Sequence, residues 1–433
     1  MRTSELLYDL LARVSDVGRA LSASTDRAAE AEPEALADFC EELLTGAGEA
    51  TGLALAGQIL ARFAELGAEG KAAFFDALTA RFGVDEARLS AALAAWQAEP
   101  SDATARAIHI AAEPRSQDLL RLLNRAPGGT PGLVAMREDL LGMLREKPAL
   151  AGLDADFRHL FASWFNRGFL ELRAIDWWTP AAILEKIIRY EAVHEIAGWD
   201  DLRHRVSARD RRLYAFFHPA LGDDPLIFVE VALTDGIPSA IGPVLAQGRA
   251  ELAPERARTA VFYSISNCQK GLRGVSFGNF LIKQVVEELS AELPGIRNYV
   301  TLSPVPGLRA WALAQDGPDG AAARAVEAGE AGAREALPRL AAHYLAEAKA
   351  RDGGALDPVA RFHLGNGARL EQIHAEADPS PRGQQTSWGV MVTYLYDLDH
   401  IEKNHEAYAN EGVIAVSSAV RRLAKAKIPG GQA

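Results

Sequence analysis

Ser264-Ile-Ser-Asn-Cys-Gln-Lys-Gly-Leu-Arg-Gly-Val-Ser-Phe-Gly-Asn-Phe-Leu-Ile-Lys283 decides how the second half of this chain is read. It begins at the end of a strand-like run, Thr259–Ile265, and passes through a turn containing Gly271, Gly274 and Gly278. It continues into an amphipathic stretch over about 277–289, with Phe280, Leu281, Val285, Val286 and Leu289 on one side. A strand delivered through a glycine-rich turn to a helix is a building unit of mixed α/β structure. The start of such a helix leaves backbone N–H groups free beside the positive end of its dipole. Glycines there allow a close approach by a phosphate. The functional reading is a pyrophosphate cradle with Arg273 as an added charge. A tight turn whose glycines serve sterics alone is the other reading that these residues permit.

Around this stretch lie further strand-like runs at Leu213–Phe217, Leu226–Leu233, Asn298–Leu302 and Trp388–Tyr396, dense in Val, Ile, Phe and Tyr. A helix is expected near Pro180–Tyr190. Asp316–Ala336, rich in Gly, Ala, Glu and Asp, reads as a solvent-facing connection with some helical content. Before about residue 164 the pattern is helix after helix. Apolar residues recur at spacings of three and four over Leu6–Leu21, Leu36–Leu44, Leu53–Leu66, Phe74–Phe82 and Leu89–Trp96. Breaks are expected at Pro33, at Glu99-Pro100 and at Ala126–Gly132. The predicted fold class is therefore α+β in two domains. An all-α helical bundle, 1–164, serves assembly and support; a mixed α/β domain, 165–433, carries the chemistry.

With 433 residues the chain exceeds what one core usually organises. A net charge of −12 argues against nucleic acid as a partner, because a phosphate backbone needs a basic face. No apolar run approaches the ~20 residues that span a bilayer, so no membrane partner is expected. Two cysteines, Cys40 and Cys268, form no framework and suit a reducing compartment. Glu5 and Asp9 fall inside an amphipathic pattern that suits neither a signal peptide nor a basic transit peptide, and the expected location is the cytoplasm.

Two short motifs carry possible chemistry. In Thr301-Leu-Ser-Pro-Val-Pro-Gly307, Ser303 sits where a strand meets two prolines, at the kind of sheet end where α/β crevices lie. A Ser-Pro turn capped by its own hydroxyl is the plain alternative. In Phe362-His-Leu-Gly-Asn-Gly367, His363 lies on an apolar stretch and by itself reads as a hydrogen-bonded core histidine. His400 and His405 have no third ligand and no His-Glu-x-x-His occurs, so no metal site is expected.

Together the segments Phe262-Tyr-Ser-Ile-Ser266, 271–283, Leu302–Gly307 and Phe362–Gly367 resemble malonyl-CoA decarboxylases, over about Trp164 to Tyr396 with a helical domain in front. The catalytic domain of that family is similar to the GCN5-related acetyltransferases, whose coenzyme A loop reads Arg/Gln-x-x-Gly-x-Gly/Ala. Arg273 and Gly278 match its two ends, while Ser276 replaces its middle glycine. The resemblance implies a coenzyme A-binding set of Arg273, Gly274, Val275, Ser276, Phe277, Gly278 and Asn279, with Ser264 lining the pocket. Some relatives carry Glu where this chain has Ser276. It further implies Ser303 as a catalytic residue in the malonyl pocket and His363 as the proton donor. Malonyl-CoA would be the partner, no cofactor would be needed, and the assembly would be a homo-oligomer, a tetramer.

The implied reaction releases CO2 and leaves an enolate on the thioester oxygen. Near neutral pH an imidazolium would suit its protonation. Tyr394 and Tyr396 lie on a late strand that could wall the site, though core packing is the reading preferred for both. The alternatives are a coenzyme A-dependent acyltransferase of the same fold and a non-catalytic coenzyme A sensor or scaffold.

Overall fold

A computed structural model describes residues 33–46, 48–275 and 281–426. The expected stripe Leu6–Leu21 lies outside these residues. The chain divides into two compact units. One comprises the described residues up to Leu170 together with His218–Gly222 and 269–275; the other holds the remainder.

The first unit is helical: α1 (Pro33–Leu44), α2 (Glu49–Glu65), α3 (Ala68–Arg81), α4 (Glu86–Ala98), α5 (Asp102–Ala111), α6 (Arg115–Asn124), α7 (Gly129–Met143) and α8 (Ala151–Trp164). The expected break at Pro100 separates α4 from α5. There Ser101 and Thr104 satisfy each other's backbone N–H groups in a capping box. The expected break at 126–132 is shorter than predicted, because α7 starts inside it. Gly128 takes the left-handed turn (φ 73°) before the helix, and Pro131 falls in the first turn, where no N–H is needed. The core is aromatic: Phe63 packs its ring 5.4 Å from those of both Phe74 and Phe75.

The second unit is built on a mixed sheet. Among the described residues its strands are β1 (Glu171–Ile175), β2 (Arg211–Phe217), β3 (Pro225–Thr234), β4 (Thr259–Asn267), β5 (Asn298–Thr301), β6 (Ser303–Pro304), β7 (Arg369–His374) and β8 (Met391–Leu395). β1 to β4 run antiparallel, in chain order. β5 joins β4 in parallel, so the intervening helix, Leu281–Glu292, is a crossover of the kind parallel strands require. β8 then pairs antiparallel with β5, β6 and β7. The parallel match with β4 ends at Thr301, while the pairing with β8 that begins at Val300 continues at Ser303, opposite Val392. The loss of the β4 neighbour opens the sheet beside the position the sequence marked with Ser303.

Two other departures from the sequence reading have local causes. The last strand starts at Met391 rather than Trp388, because Trp388 (φ 53°) and Gly389 (φ 80°) are left-handed. Asp316–Ala336 is mostly ordered as the helix Gly317–Glu327 and a 3-10 turn at Ala333–Ala336. Among the described residues no helix is long and apolar enough to cross a membrane.

Candidate active site

His363 is carried by the helix Pro358–Gly365, whose start is fixed by Asp357. One oxygen of that buried carboxylate accepts from the backbone N–H of Val359 and of Ala360, both at 2.9 Å. The helix stops at Asn366–Gly367. Gly367 is left-handed (φ 81°), and a side chain there would strike the carbonyl of Ile401. A stiff helix capped at one end and stopped at the other points the imidazole at β6 and β8.

The ring is held on three sides. Nε2 lies 3.1 Å from Ser303 Oγ, Nδ1 lies 2.7 Å from the Tyr396 hydroxyl, and Tyr394 stacks on the ring with centroids 4.6 Å apart. Ser303 gives its single hydroxyl proton to Thr301 Oγ1 at 2.9 Å. The hydrogen between Ser303 and His363 therefore belongs to Nε2, which leaves Nδ1 to accept from Tyr396. The result is one directed chain: Tyr396 to His363 to Ser303 to Thr301.

His363 is 3% exposed and Ser303 6%. Burial pushes the imidazole down to a pKa of about 3, because charge is costly away from water. The ring is therefore neutral at neutral pH, where the sequence reading had preferred an imidazolium. Tyr396, read from the sequence as packing, is the residue that fixes the tautomer. Burial raises its hydroxyl well above the ordinary phenol range, so it stays a donor. Its separation of 33 residues from His363 kept the partnership out of the sequence.

Ser264 sits elsewhere in the second unit, on β4. It is 1% exposed, and its hydroxyl is engaged by both oxygens of Glu191 at 2.7 and 2.8 Å. Ser266 also donates to Glu191, at 3.1 Å. In this arrangement Ser264 orders a carboxylate.

The glycine turn belongs to the first unit as far as it is described. Arg273 and Gly274 are exposed and Val275 is buried; Ser276, Phe277, Gly278 and Asn279 lie outside the described residues. The turn is pinned from below by Arg137, 1% exposed, which donates to the carbonyl of Gly271 at 2.6 Å and to Asp154 at 2.8 Å. A side chain at 271 would strike the carbonyl of Val134 on α7, so this glycine is required by the close approach. Among the described residues of the turn, three amides are taken up locally. The N–H groups of Leu272, Arg273 and Val275 bond the carbonyls of Gln269, Lys270 and Leu272, each at 3.0 Å.

Residues 82–165 match the family model "Malonyl-CoA decarboxylase N-terminal domain", and residues 168–331 and 319–432 match "Malonyl-CoA decarboxylase C-terminal domain". The chain belongs to the malonyl-CoA decarboxylase family. Among its relatives is the mitochondrial malonyl-CoA decarboxylase of Anser anser anser, 36% identical over 348 residues that make up 71% of this chain and 69% of that protein. The crystal structure of malonyl-CoA decarboxylase from Rhodopseudomonas palustris is 51% identical. It superposes with a TM-score of 0.87 over 90% of this chain and 99% of that one. The Agrobacterium vitis malonyl-CoA decarboxylase structure is likewise 51% identical, with a TM-score of 0.84 over the same shares. Both family domains are thus represented in this member, the helical one included.

Proposed function

We propose that this chain is a carboxy-lyase that converts malonyl-CoA to acetyl-CoA and CO2, with Ser303 and His363 as its catalytic residues. The observation that carries the reading is the 3.1 Å contact between Ser303 Oγ and Nε2 of a neutral, oriented imidazole, in a member of this family.

Decarboxylation breaks the bond between the α-carbon and the carboxylate. The electron pair remains on the α-carbon and spreads into the thioester carbonyl as an enolate, while CO2 departs. A carboxylate stripped of water loses CO2 more readily, and a site of this burial favours that state. The thioester is its own electron sink, so the reaction needs no cofactor. The enolate must then gain a proton. A thioester enolate is a base strong enough to draw one from a neutral donor. The Ser303 hydroxyl, turned from Thr301 to the malonyl group, gives its hydrogen to the α-carbon. Nε2–H of His363 refills Ser303, and the Tyr396 hydroxyl refills Nδ1. Solvent restores the proton to Tyr396. The coenzyme A end is held at the 273–275 turn, with Ser276, Phe277, Gly278 and Asn279 as the remaining members of that set.

A homo-oligomer, a tetramer by the family resemblance, and a cytoplasmic location complete the proposal. Cys40 and Cys268 are both buried free thiols, which supports a reducing compartment. Incubation with malonyl-CoA alone tests the reaction. A decarboxylase releases CO2 and acetyl-CoA without an acceptor. An acyltransferase gives none until an amine is added, and a sensor binds coenzyme A without turnover. Light scattering tests the assembly.

A further inference from the structure

The first unit concentrates positive charge at the glycine turn although the chain as a whole carries −12. Arg137, Arg158, Lys270 and Arg273 gather there against two carboxylates, Asp154 and Glu138. Arg137 takes Asp154 at 2.8 Å, and Lys270 lies 3.5 Å from Glu138. Arg158, on α8, stands one helical turn after Asp154, yet that acid is already committed to Arg137. Arg158 and Arg273 are both exposed and make no ion pair among the described residues. Two guanidinium groups are thus left without counter-charge among the described residues beside one turn.

They belong to one place. A Cβ built on Gly274 would lie 3.9 Å from Arg158 Nε, so the guanidinium of Arg158 overhangs the left-handed glycine that follows Arg273. Both arginines also press their charge on Arg137, whose own pKa is lowered first by burial and then by them. Among the described residues of the turn, the amides of Leu272, Arg273 and Val275 are spent on local carbonyls. The Gly274 N–H has no partner among the described residues. Guanidinium forks match phosphate oxygens in geometry as well as charge.

We infer that Arg158 and Arg273 together clasp a phosphate group of the substrate's coenzyme A moiety, with the Gly274 N–H as a third donor. Arg158 is then a substrate-binding residue supplied by the helical domain, which had been expected to give only assembly and support. Arg137 is a positioning residue: bound to the Gly271 carbonyl, it sets the height of the turn beneath the clasp. This inference rests on the coenzyme A-binding reading of the turn.

The test compares malonyl-CoA with malonyl-pantetheine, which bears the same thioester and no phosphate, for the parent and Arg158→Ala. Arg158 is exposed and has no ion pair among the described residues, so its removal leaves the melting temperature unchanged. The clasp predicts a KM for malonyl-CoA raised roughly 10- to 100-fold, the scale of one charge-assisted contact, with kcat within about twofold by the same reasoning. On malonyl-pantetheine the two proteins coincide, and Arg158→Lys recovers part of the loss on malonyl-CoA. An unchanged KM for malonyl-CoA, or an equal loss on both substrates, overturns the clasp. Calorimetric titration with coenzyme A separates this from the reaction itself. If the parent releases no CO2 but Arg158→Ala still weakens coenzyme A binding, the clasp stands and the decarboxylase reading falls. If the affinity for coenzyme A is the same in both proteins, the clasp falls whatever the parent catalyses.

Discussion

The Tyr396 hydroxyl lies 2.7 Å from Nδ1 of His363, with both groups buried. A neutral imidazole has one N–H, and this contact decides which nitrogen carries it. Tyr396→Phe keeps the ring and its packing but removes the donor. Nδ1 then has no partner, and the N–H is free to leave Nε2. We expect kcat to fall roughly 10- to 100-fold with little change in KM, equivalent to one hydrogen bond to a buried polar group. Steady-state decarboxylation rates check it; an unaltered kcat would show that Tyr396 only packs.

Burial gives His363 a pH signature. Its pKa drops from 6.5 to about 3 in the folded protein. The unfolded chain therefore takes up a proton below about pH 6.5 while the folded one does not. The stability contributed by the neutral ring is complete above pH 6.5 and is lost as pH falls toward 3. At about 1.4 kcal/mol per pH unit, the parent should lose ~2 kcal/mol more than His363→Gln between pH 6.5 and 5. Denaturant unfolding at the two pH values measures this, and parallel losses would refute it. For the same reason kcat/KM should show no inflection from His363 near pH 6.5, unlike an enzyme that relies on imidazolium.

Arg137 is the buried charge on which the glycine turn rests. Arg137→Met leaves Asp154 unpaired and the Gly271 carbonyl without its donor. Breaking a buried pair from one side costs about 3–5 kcal/mol, so a clear drop in melting temperature is expected. Arg137→Met with Asp154→Leu removes both charges and should recover much of that loss. A double variant as unstable as the sum of its parts would mean that the pair is not the source.

The sequence showed much of this and missed the rest for identifiable reasons. The helical character of the first unit was visible, and α1 to α4 individually, because Ala-rich segments with apolar residues at three and four announce themselves locally. β2 to β5 and β8 were visible as apolar runs. β1 (Glu171–Ile175) and β7 (Arg369–His374) escaped because charged and polar residues interrupt them; they become strands through their pairing with β2 and β8. Ser303 and His363 were legible only through the family motifs, since neither residue in isolation differs from a capped turn or a core histidine. The tautomer-setting Tyr396, the neutrality of His363 and the support of the 273 turn by Arg137 all depend on contacts between distant segments. No local pattern encodes them. The same distance hid the Glu191 partner of Ser264, 73 residues away.

The central claim is that Ser303 and His363 act as one proton-delivering unit across their 3.1 Å contact. A double-mutant cycle on malonyl-CoA decarboxylation tests it most directly, with Ser303→Ala, His363→Ala and the combination measured for kcat and each shown to be folded. Each single change should cost roughly 100- to 10,000-fold, and the pair should cost no more than about tenfold beyond the worse single, because a unit broken once has little left to lose. Near-parental turnover in either single variant, or losses that simply multiply in the double, would contradict the account.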